Sequence, residues 1–168
     1  MAATYQLISS VTVGSGGASS IDFTSIPATY TDLLISLSIR STNNGWVDGN
    51  VLFNSSTSNF TWRSVYGTGA SAVSGTNTTN NMLGQINGSN TTASTFANIL
   101  LYVPNYAGNS NKSFSIDYAS ENNATTSYAG LVAGLWSNTA AITAVGFTLS
   151  AGNFAQYSTA YLYGIKNS

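Results

Sequence analysis

The segment TDLLISLSIR, Thr31 to Arg40, sets Leu33, Ile35, Leu37 and Ile39 on alternate positions, with Ser36, Ser38 and Arg40 falling between them. An extended chain sends successive side chains to opposite faces, whereas a helix repeats every 3.6 residues, so this period of two predicts a half-buried antiparallel strand. The device recurs. In KSFSIDYA, Phe114, Ile116 and Tyr118 point one way and Ser113, Ser115 and Asp117 the other; in ITAVGFTL, Val145, Phe147 and Leu149 point inward. The run NILLYVP, Asn98 to Pro104, is apolar on both faces, which predicts a central strand covered on each side and ended by Pro104.

Further strands are expected at Tyr5 to Val13, Ser20 to Thr24, Gly49 to Asn54, Thr61 to Tyr66, Asn81 to Ile86, Tyr128 to Trp136 and Ser158 to Ile165. About eleven short strands, separated by turn signals such as GSGG at Gly14 to Gly17 and NNG at Asn43 to Gly45, have the spacing of a sandwich or barrel. No segment carries a sustained helical period; at most one helical turn is expected near Pro27 to Thr31, with Tyr30 over the core. Thr68 to Thr95, small and polar except for MLGQI at Met82 to Ile86, reads as long loops around one edge strand. With no repeat and no linker, residues 1–168 form one domain. The expected fold is all-β, a single-domain antiparallel β-sandwich, jelly-roll-like. Its opening stretch crosses from one sheet to the other through a corner at Pro27.

Composition limits the chemistry. Charged residues make up 5% of the 168, against about 25% in an ordinary soluble domain, and Ser, Thr and Asn fill the gap at roughly two residues in five. Four basic and five acidic residues leave no electrostatic footprint for nucleic acid. No apolar run reaches the roughly 18 residues that span a bilayer, and the first thirty residues lack the pattern of a secretion signal, so neither membrane insertion nor export by that route is expected. Without Cys there are no disulfides or thiolate metal sites.

Catalysis has little to draw on. His and Cys are absent, leaving Lys112 and Lys166 as bases for a serine nucleophile and Asp22, Asp32, Asp48, Asp117 and Glu121 as carboxylates. A glycosidase needs two carboxylates across a cleft, about 5 to 9 Å apart. Asp22 and Asp117, however, lie on the polar faces of their strands, where solvation accounts for them. DGN at Asp48 to Asn50 offers oxygen ligands for calcium, but a hairpin turn between Trp46 and Val51 explains the same residues with fewer assumptions. The GSGG loop lacks the helix and the Lys of a phosphate cradle. The seven Asn-x-Ser/Thr triplets, beginning at Asn54, are what so Asn-, Ser- and Thr-rich a composition produces. No catalytic, cofactor-binding or metal-ligating residue is assigned, and the chain is read as no enzyme. Aromatics are better supplied. Trp46 in a predicted turn, Trp62 near a strand start and Tyr106 beside a loop are the candidates for contact with a partner.

Three segments carry a resemblance: TYQLISSVTVGSGGASSIDFTSIPATYTDLLI at the start, VLFNSSTSNFTWRSVYGTG from Val51, and GNFAQYSTAYLYGIKNS at the end. Together they are a little under half of the chain. They resemble small structural proteins of tailed bacteriophage particles. The chain departs from that pattern at Ser56, where an acidic residue is expected, and at Phe60, which replaces a Tyr; no functional residue is carried over. The resemblance implies a β-sandwich or jelly-roll virion component without enzymatic activity, such as a capsid decoration (cement) protein. Its expected partners are the major capsid protein or other virion proteins and sister copies, a homotrimer being favoured, and its expected location is the outer surface of the capsid. The alternative is a tail-associated receptor- or carbohydrate-binding module that uses Trp46, Trp62 and the Asn-rich loops against host glycans.

Overall fold

A computed structural model describes residues 4–78, 81–123 and 126–166. Among these there is no helix, and therefore none long and apolar enough to cross a membrane. Twelve strands follow one another: β1 (Tyr5–Thr12), β2 (Ser20–Phe23), β3 (Asp32–Ile39), β4 (Val47–Phe53), β5 (Phe60–Gly67), β6 (Ala72–Asn77), β7 (Met82–Ile86), β8 (Ala97–Val103), β9 (Lys112–Ser120), β10 (Tyr128–Trp136), β11 (Val145–Leu149) and β12 (Thr159–Ile165). They form an eight-stranded sheet, β1-β12-β3-β8-β9-β10-β5-β6, and a four-stranded sheet, β2-β11-β4-β7. Every pairing is antiparallel.

The pairings nest. β1 pairs with β12, β2 with β11, β3 with β8 and β4 with β7, as though one long hairpin had been rolled up, which is the topology of a jelly roll. The remaining strands are two additions to that plan. The β5–β6 hairpin lies between β4 and β7, and β9–β10 between β8 and β11; all four strands extend the first sheet from eight-stranded-roll proportions to twice the width of the second.

Alternation fixes the core. Leu33, Ile35, Leu37 and Ile39 of β3 face Ile99, Leu101 and Val103 of β8, all at most 1% exposed. One continuous hydrophobic cluster fills the space between the sheets. At one end Phe53, Phe60, Phe114 and Trp136 lie edge to face or stacked, with centroids 5.4 to 6.3 Å apart. As expected, β2 leads through a corner at Pro27 into β3 of the other sheet, and Gly14 to Gly17 forms a turn, with Gly17 at φ 69°.

Four expectations are corrected. β6 arises inside the presumed loop region, because AVSGTN pairs in register with β5 from Gly67↔Ala72 to Trp62↔Asn77. The DGN stretch is no hairpin turn: Asp48 to Asn50 runs within β4, held by β11 on one side and β7 on the other. Pro27 to Thr31 is a turn with no helix, although Tyr30 does pack against the core. Finally, β8 is central but covered on one face only, leaving Leu100 43% exposed on the other.

Candidate functional site

The scarce charges are mostly spent on structure. Arg40, 8% exposed, has no carboxylate partner among the described residues; its Nη1 donates to Thr92 O and Thr95 O, both at 2.8 Å, and its Nη2 to Thr91 O at 3.1 Å and Ser89 O at 3.3 Å. One guanidinium fork thereby closes the loop between β7 and β8. Lys112, 1% exposed, does the same for the loop before β9, donating to Gly108 O at 2.7 Å, to Ser110 O and to Thr139 O at 3.2 Å. Burial pushes both basic groups below their ordinary values. Lys112 is thus a loop clamp.

The carboxylates are dispersed. Asp22 accepts from Ser20 Oγ on β2; Asp32 accepts from Tyr102 OH at 2.8 Å and from Asn105 N at 2.9 Å; Asp48 accepts from Gln85 Nε2. Glu121 accepts from the backbone N–H groups of Asn123 at 2.7 Å and Asn122 at 3.0 Å, and these bonds, together with one from the Ser127 side chain, hold it below the usual carboxylate range. Asp117 stands exposed on the outer face of β9. Among the described residues no three His, Cys, Asp or Glu side chains gather closely enough to hold a metal ion.

Two surfaces remain. The first is the outer face of the eight-stranded sheet, which no other layer covers. Across it the register aligns Tyr161, Ser36, Leu100, Asp117, Leu131, Val65 and Ser74 in one row. Of the seven large hydrophobic side chains exposed in the described residues, six (Tyr5, Leu7, Val65, Leu100, Leu131 and Tyr161) lie on this face; Tyr157 is the other. Eight strands about 4.8 Å apart and about seven residues long present roughly 34 by 23 Å, or about 800 Å². That equals one partner's share of a standard protein interface, about 800 Å². A shallow trough between Val65, Ser74 and Leu131 runs along its β5–β6 end.

The second is a cleft. β7 lies across β8, β9 and β10, so the small sheet ends there and the β5–β6 hairpin overhangs it. Beneath the overhang is a cavity of about 390 Å³ bounded by Trp62, Ser64 and Tyr66 of β5, Tyr118 of β9, Tyr128 of β10, and Asp48, Asn50 and Gln85 of β4 and β7. Glycines shape it. Gly84, at φ 144°, and Gly130 bracket the Tyr118 ring so closely that a Cβ on either would fall 2.7 to 2.8 Å from it. Burial raises the Tyr118 hydroxyl to about 12.

The three aromatic candidates part company. Trp62 lines the cleft, and Trp46, half-buried immediately before β4, sets its ring edge-on to Tyr128 at 4.8 Å, with Tyr128 in turn 6.2 Å from Tyr66. These two residues, 16 positions apart, thus converge on one rim. Tyr106 does not join them: it is 0% exposed and its hydroxyl donates to Pro27 O, so it cannot touch a partner. Its surroundings look like loop in sequence, and only the corner 79 residues away buries it. Tyr66 and Tyr128 escaped the sequence reading because nothing local distinguishes them from other strand residues, and Asn50 was weighed there only as a calcium ligand or part of a turn. No family model matches this chain, and neither does any curated protein sequence.

Proposed function

We propose that the protein is a non-enzymatic structural component of a bacteriophage virion, a capsid decoration (cement) protein that lays the outer face of its eight-stranded sheet on the subunits of the shell. The observation that carries this reading is β8. Its sequence is apolar on both faces, as in a strand meant to be covered twice, yet the monomer covers one face and leaves Leu100 exposed in a row with Asp117, Leu131 and Val65. A second layer supplied by another protein completes the burial. The resemblance of the two termini and the Val51 segment to small phage structural proteins supports the same reading, as does a surface with few charges to desolvate.

Sister copies join at strand edges, in the homotrimer that this reading favours. A protein that binds only the assembled shell stabilises it by RT ln(1 + [L]/Kd) per site, about 2.7 kcal/mol at a hundredfold excess over Kd. Multiplied over a shell, that resists internal pressure. The test is to strip particles of this protein, add back the wild type or the Leu131→Asp/Val65→Asp variant, and follow genome release on heating. Wild type restores heat resistance and occupies the shell in hundreds of copies; the variant, equally well folded, does neither. Equal heat resistance with and without the protein, or a handful of copies per particle, refutes the reading.

A further inference from the structure

We infer that the cleft under the β5–β6 overhang binds a sugar ring of a neutral glycan, a site separate from the outer sheet face and standing whether or not the shell reading holds. Three observations converge on it. The cavity, about 390 Å³, falls within the roughly 300–1,000 Å³ of small-molecule sites. Its walls combine ring faces, Trp62, Tyr66 and Tyr128, with the amides of Asn50 and Gln85 and the Asp48 carboxylate. A pyranose asks for that pairing, because it presents an apolar patch of C–H groups to an aromatic ring and hydroxyls around its circumference to amides and carboxylates.

The third observation concerns two hydroxyls. Among the described residues Ser64 Oγ and Tyr118 OH are buried without a hydrogen-bond partner, their residues 5% and 1% exposed, and both residues line the cleft. A buried unpaired hydroxyl costs about 1–3 kcal/mol, so such groups persist where a ligand or solvent satisfies them.

Charge narrows the ligand. No Lys or Arg lines the cleft, which disfavours an anion, and the one carboxylate there already accepts from Gln85 Nε2. An aromatic wall beside a carboxylate also suits a quaternary ammonium group. That ligand, however, has no use for two amides and two unpaired hydroxyls, whereas a sugar's hydroxyls both donate and accept. Tyr128, braced edge-on by Trp46, is the fixed wall of the site.

The experiment uses the free protein without particles: an array of neutral oligosaccharides ending in glucose, galactose, mannose or N-acetylglucosamine, then titration of the hits by intrinsic Trp fluorescence, with tetramethylammonium as the competing probe. The expected result is saturable binding with a Trp fluorescence change in the wild type, and an affinity measured by calorimetry that is weakened at least about tenfold in both Trp62→Ala and Asn50→Ala. Should Trp62→Ala fail to fold, Asn50→Ala and Gln85→Ala carry the comparison. No glycan bound below about 10 mM, binding undiminished in these variants, or tetramethylammonium bound in preference to sugars would each overturn the inference.

Discussion

Arg40 and Lys112 show how a chain with four basic residues uses half of them away from solvent. Each replaces what would otherwise be several backbone donors, gathering carbonyls that a loop cannot pair on its own. Removing Arg40 leaves the carbonyls of Ser89, Thr91, Thr92 and Thr95 without that donor. Arg40→Met is therefore expected to cost about 2 kcal/mol of folding stability, read from the urea midpoint, and Arg40→Lys to recover less than half, since a single ammonium cannot reach both arms of the fork. Tyr118 supplies a pH dependence. Its hydroxyl ordinarily titrates near 10.0, and burial raises it to about 12 in the folded protein. Between those values the unfolded chain has released a proton that the folded one keeps, so ν_U is below ν_N and stability falls as pH rises. Arg40 and Lys112 are lowered and act with the opposite sign, so the comparison to make is with Tyr118→Phe. Wild type should lose stability relative to that variant from pH 10 to 12, and parallel pH profiles would contradict the assignment.

Among the elements, the edges of the sheets are where the proposed contact between copies falls. β1, β6 and β7 are edge strands without a single charged residue. Proteins normally protect such edges with Lys, Pro or a bulge. β1 has a register shift between Leu7 and Ser9, and the β4–β7 pair has one at Gly49/Asn50. β6 pairs with β5 without irregularity and carries neither charge nor proline, so its free side is the edge open to a sister strand. A head-to-tail contact there closes a ring such as a trimer, whereas self-pairing gives a dimer. Ser74→Lys, which puts a charge on that edge, is expected to convert oligomer to monomer in light scattering without altering the thermal midpoint; an oligomer that survives the change places the contact elsewhere.

At the scale of the whole molecule, the unequal sheets account for both candidate surfaces. Eight strands over four leave an outer face with no covering layer and an inner overhang with no floor beyond β7. The first is broad and sets six exposed hydrophobic side chains among Ser, Thr and a few charged residues; the second is narrow and lined with rings and amides. Because the broad face has few ions, docking through it gains little from Coulomb attraction. Raising salt from about 0.05 to about 0.5 M should change the Kd for stripped particles by less than about threefold, where a charge-steered contact would weaken strongly.

Much of this was open to reading in the chain itself. The period of two located strands such as β3, β9 and β11, because each writes its own burial into every second residue. β6 was missed for the converse reason: its inward residues Val73, Gly75 and Asn77 make no continuous apolar face, and β5 alone makes a strand of the segment. DGN looked like a turn because its composition is that of turns, until two flanking strands held it extended. The cleft was half legible, with Trp46 and Trp62 singled out as aromatic, but its walls come from β4, β5, β7, β9 and β10, and no local pattern says that these meet. Sequence alone determined the all-β character, the inward faces and the lack of charge, since those are properties of single residues and their neighbours. Only the tertiary structure decided which strands pair, that one sheet outgrew the other, and that Tyr106 lies inside while Leu100 lies outside, because each depends on contacts between segments tens of residues apart.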